Sequence, residues 1–93
     1  MAKGYWITCY RSVPDEATLK SYARLAGPVI EAHGGRFLAR GIPVKAYEFG
    51  LNQRLVIIEF ESVKKAIEAY ESPEYQAALA TLNESAERDV RII

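Results

Sequence analysis

Arg54-Leu55-Val56-Ile57-Ile58-Glu59-Phe60 is the stretch that decides how this chain folds. Its β-branched run is the clearest strand in the sequence, and the turn-like Gly50-Leu51-Asn52-Gln53 precedes it. Side chains alternate along a strand, so Leu55, Ile57 and Glu59 face one way while Val56, Ile58 and Phe60 face the other. Both sets are mostly apolar. Upstream, Arg36 to Arg40 alternates charged or large residues with Phe37 and Ala39, and the pattern resumes from Val44 to Glu48 after an interruption at Gly41-Ile42-Pro43. This predicts one strand with a bulge or break, which pairs with Arg54 to Phe60 as a hairpin.

Further out, Gly4 to Tyr10 predicts a first strand, with Trp6, Thr8 and Tyr10 on one face and Tyr5, Ile7 and Cys9 on the other. Asp15 can cap a helix running to about His33, because Leu19, Tyr22, Ala23, Ala26, Ile30 and His33 recur at helical spacing. Pro28 has no N–H for the bond four residues back, so Gly27-Pro28 is expected to kink this helix or divide it. Gly34-Gly35 then ends it. A second helix starts near Ser62 with Val63, Ala66, Ile67 and Tyr70 on one face. Ser72-Pro73 interrupts it and restarts a segment carrying Tyr75, Ala78, Leu79, Leu82 and Ala86. Asp89 to Ile93 predicts a short last strand.

Strand, helix, strand, strand, helix, strand is a doubled split unit, so residues 1–93 are expected to form one α+β domain of ferredoxin-like topology with a four-stranded antiparallel sheet. Helices cover only one face of such a sheet. Here the second face is apolar too, and left open it would exceed the patch a soluble monomer normally shows. Sheet-to-sheet pairing into a homodimer is the simplest remedy.

Composition narrows the partners. Lys plus Arg number 12 and Asp plus Glu number 12, which leaves no long-range positive field to capture phosphate backbones or anionic lipid. No nucleic acid and no membrane partner is expected. The longest apolar run, Leu55 to Ile58, is of strand length, and the N-terminus lacks a basic-then-apolar leader. A soluble, cytoplasmic protein is expected. The lone Cys9 suits a reducing compartment, and no Cys/His cluster offers a metal site.

A specific resemblance is carried by Gly4-Tyr5-Trp6-Ile7, Tyr22 onward through Ala26-Gly27-Pro28, Gly34 to Gly41, Gln53-Arg54 with Ile58-Glu59-Phe60, Ser72-Pro73-Glu74-Tyr75-Gln76 and Arg88-Asp89. In their order and spacing these segments resemble the family called domain of unknown function 1330, over nearly the whole chain. The resemblance implies a dimeric α+β barrel, two ferredoxin-like sheets packed face to face around a partly hollow interior. The superfamily includes cofactor-independent monooxygenases, lactone isomerases, haem enzymes and stress-response proteins, so it implies architecture rather than a reaction. Val13-Pro14-Asp15 departs from the Asp-Pro order expected before the first helix, and the chain stops at Ile93 without the expected short tail.

Several residues could carry chemistry. His33 is the only imidazole, and beside Arg36 it could act as a base next to a cation that holds a carboxylate or enolate. The plainer reading is that His33 ends a helix and interacts with its dipole. Glu59 stands in an otherwise apolar strand and needs a partner or a proton, for which Arg36, Arg40, Arg54 and Arg88 are candidates. Such a pair could orient a ligand or simply balance charge at an interface. Glu48, at the hairpin end, is a similar candidate. Tyr10 belongs to an aromatic set suited to a flat organic ligand or to packing. The proposed catalytic pair is thus His33 and Glu59, with Arg36, Tyr10, Arg54 and Glu48 binding the ligand and no cofactor or metal.

Other ferredoxin-like functions fit poorly. Residues Arg54 to Phe60 have nothing like the aromatic pattern of an RNA-recognition domain, and Arg11-Ser12-Val13-Pro14 offers no Gly-rich phosphate cradle. Haem ligation by His33 has only the superfamily behind it. Two functions remain: a small-molecule-binding dimer that acts as a cofactor-independent enzyme, and a non-catalytic, stress-associated or structural homodimer.

Overall fold

The computed structural model describes residues 2–13, 15–82 and 85–93. Strands β1 (Gly4–Ser12), β2 (Arg36–Gly41), β3 (Leu55–Phe60) and β4 (Glu87–Ile92) form an antiparallel sheet in the order β2-β3-β1-β4. Helices α1 (Glu16–Ala32), α2 (Val63–Glu71) and α3 (Pro73–Leu79) complete the expected ferredoxin-like βαββαβ order, its second helix divided in two.

The inward phase of the central strands packs on the helices. Trp6, Ile58 and Phe60 cluster with Tyr22, Ala26 and Ile30 of α1, Ala66 and Ala69 of α2, and Tyr75 and Ala78 of α3. Trp6, Tyr75, Phe60 and Ile58 are almost fully buried, each contributing on the order of 1.5–3 kcal/mol of transfer free energy. Trp6 meets Tyr75 edge-on at 4.9 Å and Tyr70 at 5.3 Å between ring centroids, and its indole N–H donates to Thr8 Oγ1 at 2.8 Å. The indole donor at the aromatic centre is therefore paired.

The outward phase forms the open face. Ile7 pairs with Ile57 and Cys9 with Leu55 across β1 and β3, all half-buried, between charged margins at Arg36–Glu59 and Asp89–Arg91.

Local chemistry accounts for the helix ends. Asp15 accepts from the Thr18 N–H at 2.8 Å, and this bond holds its carboxyl below the usual range. At the far end of α1, Gly34 adopts φ +88°, its N–H reaching Glu31 O at 3.0 Å while the Gly35 N–H reaches Ile30 O at 2.9 Å. These two bonds form a Schellman cap. Ser72 caps twice: its hydroxyl donates to Ala69 O at 2.8 Å, closing α2, and accepts from the Tyr75 N–H at 3.1 Å, opening α3.

Four expectations need correction. Helix α1 is not divided and continues through Pro28. Pro28 is exposed, so water can serve the carbonyl it leaves unbonded, and Gly27 has no Cβ to collide with the proline ring. Strand β2 ends at Gly41, because residues 42–54 find no strand opposite them; the bulge lies instead at Leu38, between Phe37 and Ala39. Helix α3 ends at Leu79, short of Ala86. On α2 the buried residues are Ala66 and Ala69, while Val63 and Ile67 are each 40% exposed, since only small side chains fit between this short helix and the sheet.

Candidate functional site

The inward phase of β4 reads Arg88, Val90, Ile92, lying opposite Tyr10, Thr8 and Trp6 of β1. A cation thus occupies a position where the strand otherwise presents apolar side chains to the helices. Arg88 projects beneath α1 and α3, donating through Nη1 to Tyr22 Oη at 3.3 Å and through Nη2 to Tyr75 Oη at 3.2 Å. The two phenol oxygens are hydrogen-bonded to each other at 2.7 Å. The guanidinium carbon also lies 5.6 Å from the Tyr10 ring centroid and 5.3 Å from that of Tyr22.

This cluster borders a cleft between α1 and the sheet, walled by Trp6, Thr8, Tyr10, Ile30, Phe37, Val56 and Ile58 among others. Arg40 and Arg54 also line it, the Arg40 guanidinium lying 4.4 Å over the Phe37 ring. The cleft holds about 40 Å³, room for a few water molecules. Burial pushes the Tyr75 hydroxyl far above the usual phenol range, with Tyr22 adding to the shift and Arg88 opposing it. Burial likewise raises Tyr10. Burial works against the charge on Arg88, but Tyr75 and then Tyr22 outweigh it and hold its pKa above the ordinary guanidinium value. At neutral pH the cleft therefore holds a cation and neutral phenols, suited to stabilising negative charge rather than removing a proton.

The remaining sequence-derived candidates lie elsewhere. Arg36 Nη2 donates to Glu59 Oε1 at 3.0 Å, and the Tyr5 hydroxyl donates to Glu59 Oε2 at 3.3 Å, all on the open face. A recess of about 410 Å³ adjoins this pair, bordered by Lys3, Gly34 and Glu61. His33 lines a neighbouring recess with Gly34, Glu61 and Lys65, and its Nδ1 pairs with Val29 O of its own helix at 2.9 Å. The two recesses share Gly34 and Glu61, while His33 spends its ring hydrogen bond on the helix end. Glu48 sits exposed in the β2–β3 connection at φ +53°.

Of the proposed site residues Tyr10 and Arg54 line the cleft; sequence reasoning named Arg40 and Arg88, which also line it, only as possible partners of Glu59, and missed the cluster of Arg88 with Tyr22 and Tyr75 beside it. The signal was present in β4, where an arginine shares strand phase with Val90 and Ile92.

Fold and cleft together define a ferredoxin-like α+β protein with a cationic, aromatic-walled cleft between its first helix and its sheet. The chain belongs to the family described as domain of unknown function (DUF1330), whose model matches residues 3–93. No curated protein sequence matches it. Among solved structures, the RPA0582 protein of unknown function from Rhodopseudomonas palustris superposes with a TM-score of 0.69 at 18% identity, over 98% of this chain and 80% of that one. A dimeric ferredoxin-like protein of unknown function from Thermobifida fusca gives 0.67 at 14% identity, over 98% and 89%. SnoaB, a cofactor-independent oxygenase from Streptomyces nogalater, gives 0.68 at 11% identity, over 100% and 92%. At these identities the likeness is one of fold.

Proposed function

We propose that this protein is a small-molecule-binding homodimer whose ligand occupies the cleft between α1 and the sheet. One observation carries the reading: a half-buried guanidinium, Arg88, is held by two phenols at the floor of an apolar, aromatic-walled cleft. Ligand sites typically combine apolar walls with a few placed polar groups. Tyr10 and Arg54 flank Arg88, and Arg54 is only partly buried, so it suits the mouth. Dimerisation is supported by the open sheet face and by the exposed Ile42, Val44, Tyr47, Phe49 and Leu51 in the β2–β3 connection, apolar surface that a second copy would cover. The Thermobifida fusca protein of like fold is itself described as dimeric.

Cofactor-independent catalysis is the finer reading, supported by likeness in fold to the Streptomyces nogalater oxygenase. The cleft's part would be to hold an acidic organic molecule and stabilise its developing anion through Arg88 and a phenol O–H. His33, Glu59, Arg36 and Glu48 lie outside this cleft and have no part in that proposal. A second reading, a non-catalytic structural or stress-associated homodimer, is favoured by the cleft's small volume, about 40 Å³.

A metabolite library screened by thermal shift separates the two. A cleft ligand raises Tm saturably, because binding to the native state stabilises it by mass action. A library that leaves Tm unmoved favours the non-catalytic dimer.

A further inference from the structure

A count of donors and acceptors at the cleft floor says what kind of ligand belongs there. A guanidinium carries five N–H groups and no acceptor. Among the described residues Arg88 places two hydrogen bonds, at 3.3 and 3.2 Å, at or beyond the long end of the usual range and well beyond what a charged donor makes with a carboxylate. Both receiving oxygens belong to phenols. Tyr22 and Tyr75 carry two hydroxyl hydrogens between them, and their mutual bond uses one. The other has no acceptor among the described residues, although Tyr75 is fully buried and Tyr22 nearly so. Thr8 has accepted the Trp6 N–H and retains its own O–H.

The cleft's ionic accounts are equally one-sided. Among the described residues, Arg40, Arg54 and Arg88 have no carboxylate partner, whereas Arg11, Arg36 and Arg91 each have one. All three arginines that line the cleft are without such a partner, as is the exposed Arg24 on the outer side of α1. The guanidinium keeps N–H groups with no acceptor and the phenol pair keeps one O–H, and a buried donor left without an acceptor is costly. One ligand group relieves both: an anion with two acceptor oxygens in a plane.

Resting on the reading of the cleft as a small-molecule site, we propose that its ligand is an organic carboxylate, or an equivalent planar two-oxygen anion, on a flat apolar body. Arg88 and the free phenol O–H take the oxygens inside the cleft, whose volume of about 40 Å³ suits the carboxylate end, and the body lies toward the mouth beside Phe37 and Arg54. Arg54 and Arg40 at the margin draw the anion in.

Trp6 is the only tryptophan and lines the cleft, so its indole N–H resonance reports occupancy directly. The full chain is titrated with benzoate and separately with benzamide, which keeps the ring and removes the charge. Benzoate is expected to shift the indole resonance saturably, with benzamide binding at least tenfold more weakly. Arg88→Gln is expected to abolish the preference for the acid. Should that variant fail to fold, Arg54→Gln, half-exposed and outside the phenol cluster, is expected to weaken benzoate severalfold while leaving benzamide unchanged. Equal shifts from benzoate and benzamide overturn the inference but leave the cleft a small-molecule site. If neither moves the indole the inference is also overturned, and the metabolite screen then judges the cleft reading alone. Retention of full benzoate affinity in folded Arg88→Gln overturns the role assigned to Arg88.

Discussion

Gly34 and Gly35 stand side by side for different reasons. Gly34 supplies the left-handed turn of the helix cap, at φ +88°. Gly35 is required by space, because a Cβ there would lie 2.6 Å from Ile30 Cγ2, 2.8 Å from Phe60 Cζ and 2.9 Å from the Ile30 carbonyl oxygen. The last is backbone and cannot step aside. Gly35→Ala is expected to destabilise the fold by about 1–3 kcal/mol, the usual range for forced overpacking. A urea melt with an unchanged midpoint would contradict it. The glycine pair and its helix-ending role were legible in the sequence, whereas the crowding at Gly35 depends on how the cap folds back onto Ile30 and on Phe60, which is distant in the chain and adjacent only after folding. Arg88 follows the same logic. Its phase in β4 was readable, but the phenols beneath it come from α1 and α3.

Among the elements, the break between α2 and α3 was written most plainly, in Ser72-Pro73. Proline cannot continue a helix without losing a bond but suits a first turn, and one serine hydroxyl serves both ends. Ser72→Ala removes both bonds from a buried position and is expected to cost about 1–2 kcal/mol, read as a lower urea midpoint at unchanged slope. No loss of stability would mean that the proline alone sets the break. The segment from Val44 to Glu48 shows the converse. Its alternation resembles a strand, yet a strand needs a hydrogen-bonding neighbour. The β2–β3 register ends where Gly41 stands opposite Leu55, the first residue of β3, so residues 44–48 have no strand beside them among the described residues. Local pattern has no knowledge of where the partner strand begins.

For the molecule as a whole, the open sheet face dominates. Ile7, Ile57, Leu55 and Cys9 form an apolar centre between charged margins, as expected of a surface that meets its own copy. Sedimentation at micromolar concentration is expected to show a dimer, with an interface above roughly 1,200 Å². Ile57→Lys, which places a charge at the centre of that face, is expected to shift the equilibrium toward monomer. A wild-type chain that sediments as a stable, folded monomer would refute the pairing.

By itself the sequence determined the order of the elements, the double-faced apolar strands, the caps at Asp15 and Ser72 and the glycine turn, because each is set by residues within a turn or two of one another. It also determined that His33 is the only imidazole. Tertiary structure alone decided where the polar chemistry gathers. Glu59 and Arg36 point to the open face and His33 turns back onto its own helix, while Arg88 reaches Tyr22 and Tyr75, 66 and 13 residues away along the chain. Strand phase and sheet order place side chains from distant segments in one space. A cation's partners are therefore set by the packing of the elements, not by its neighbours in sequence.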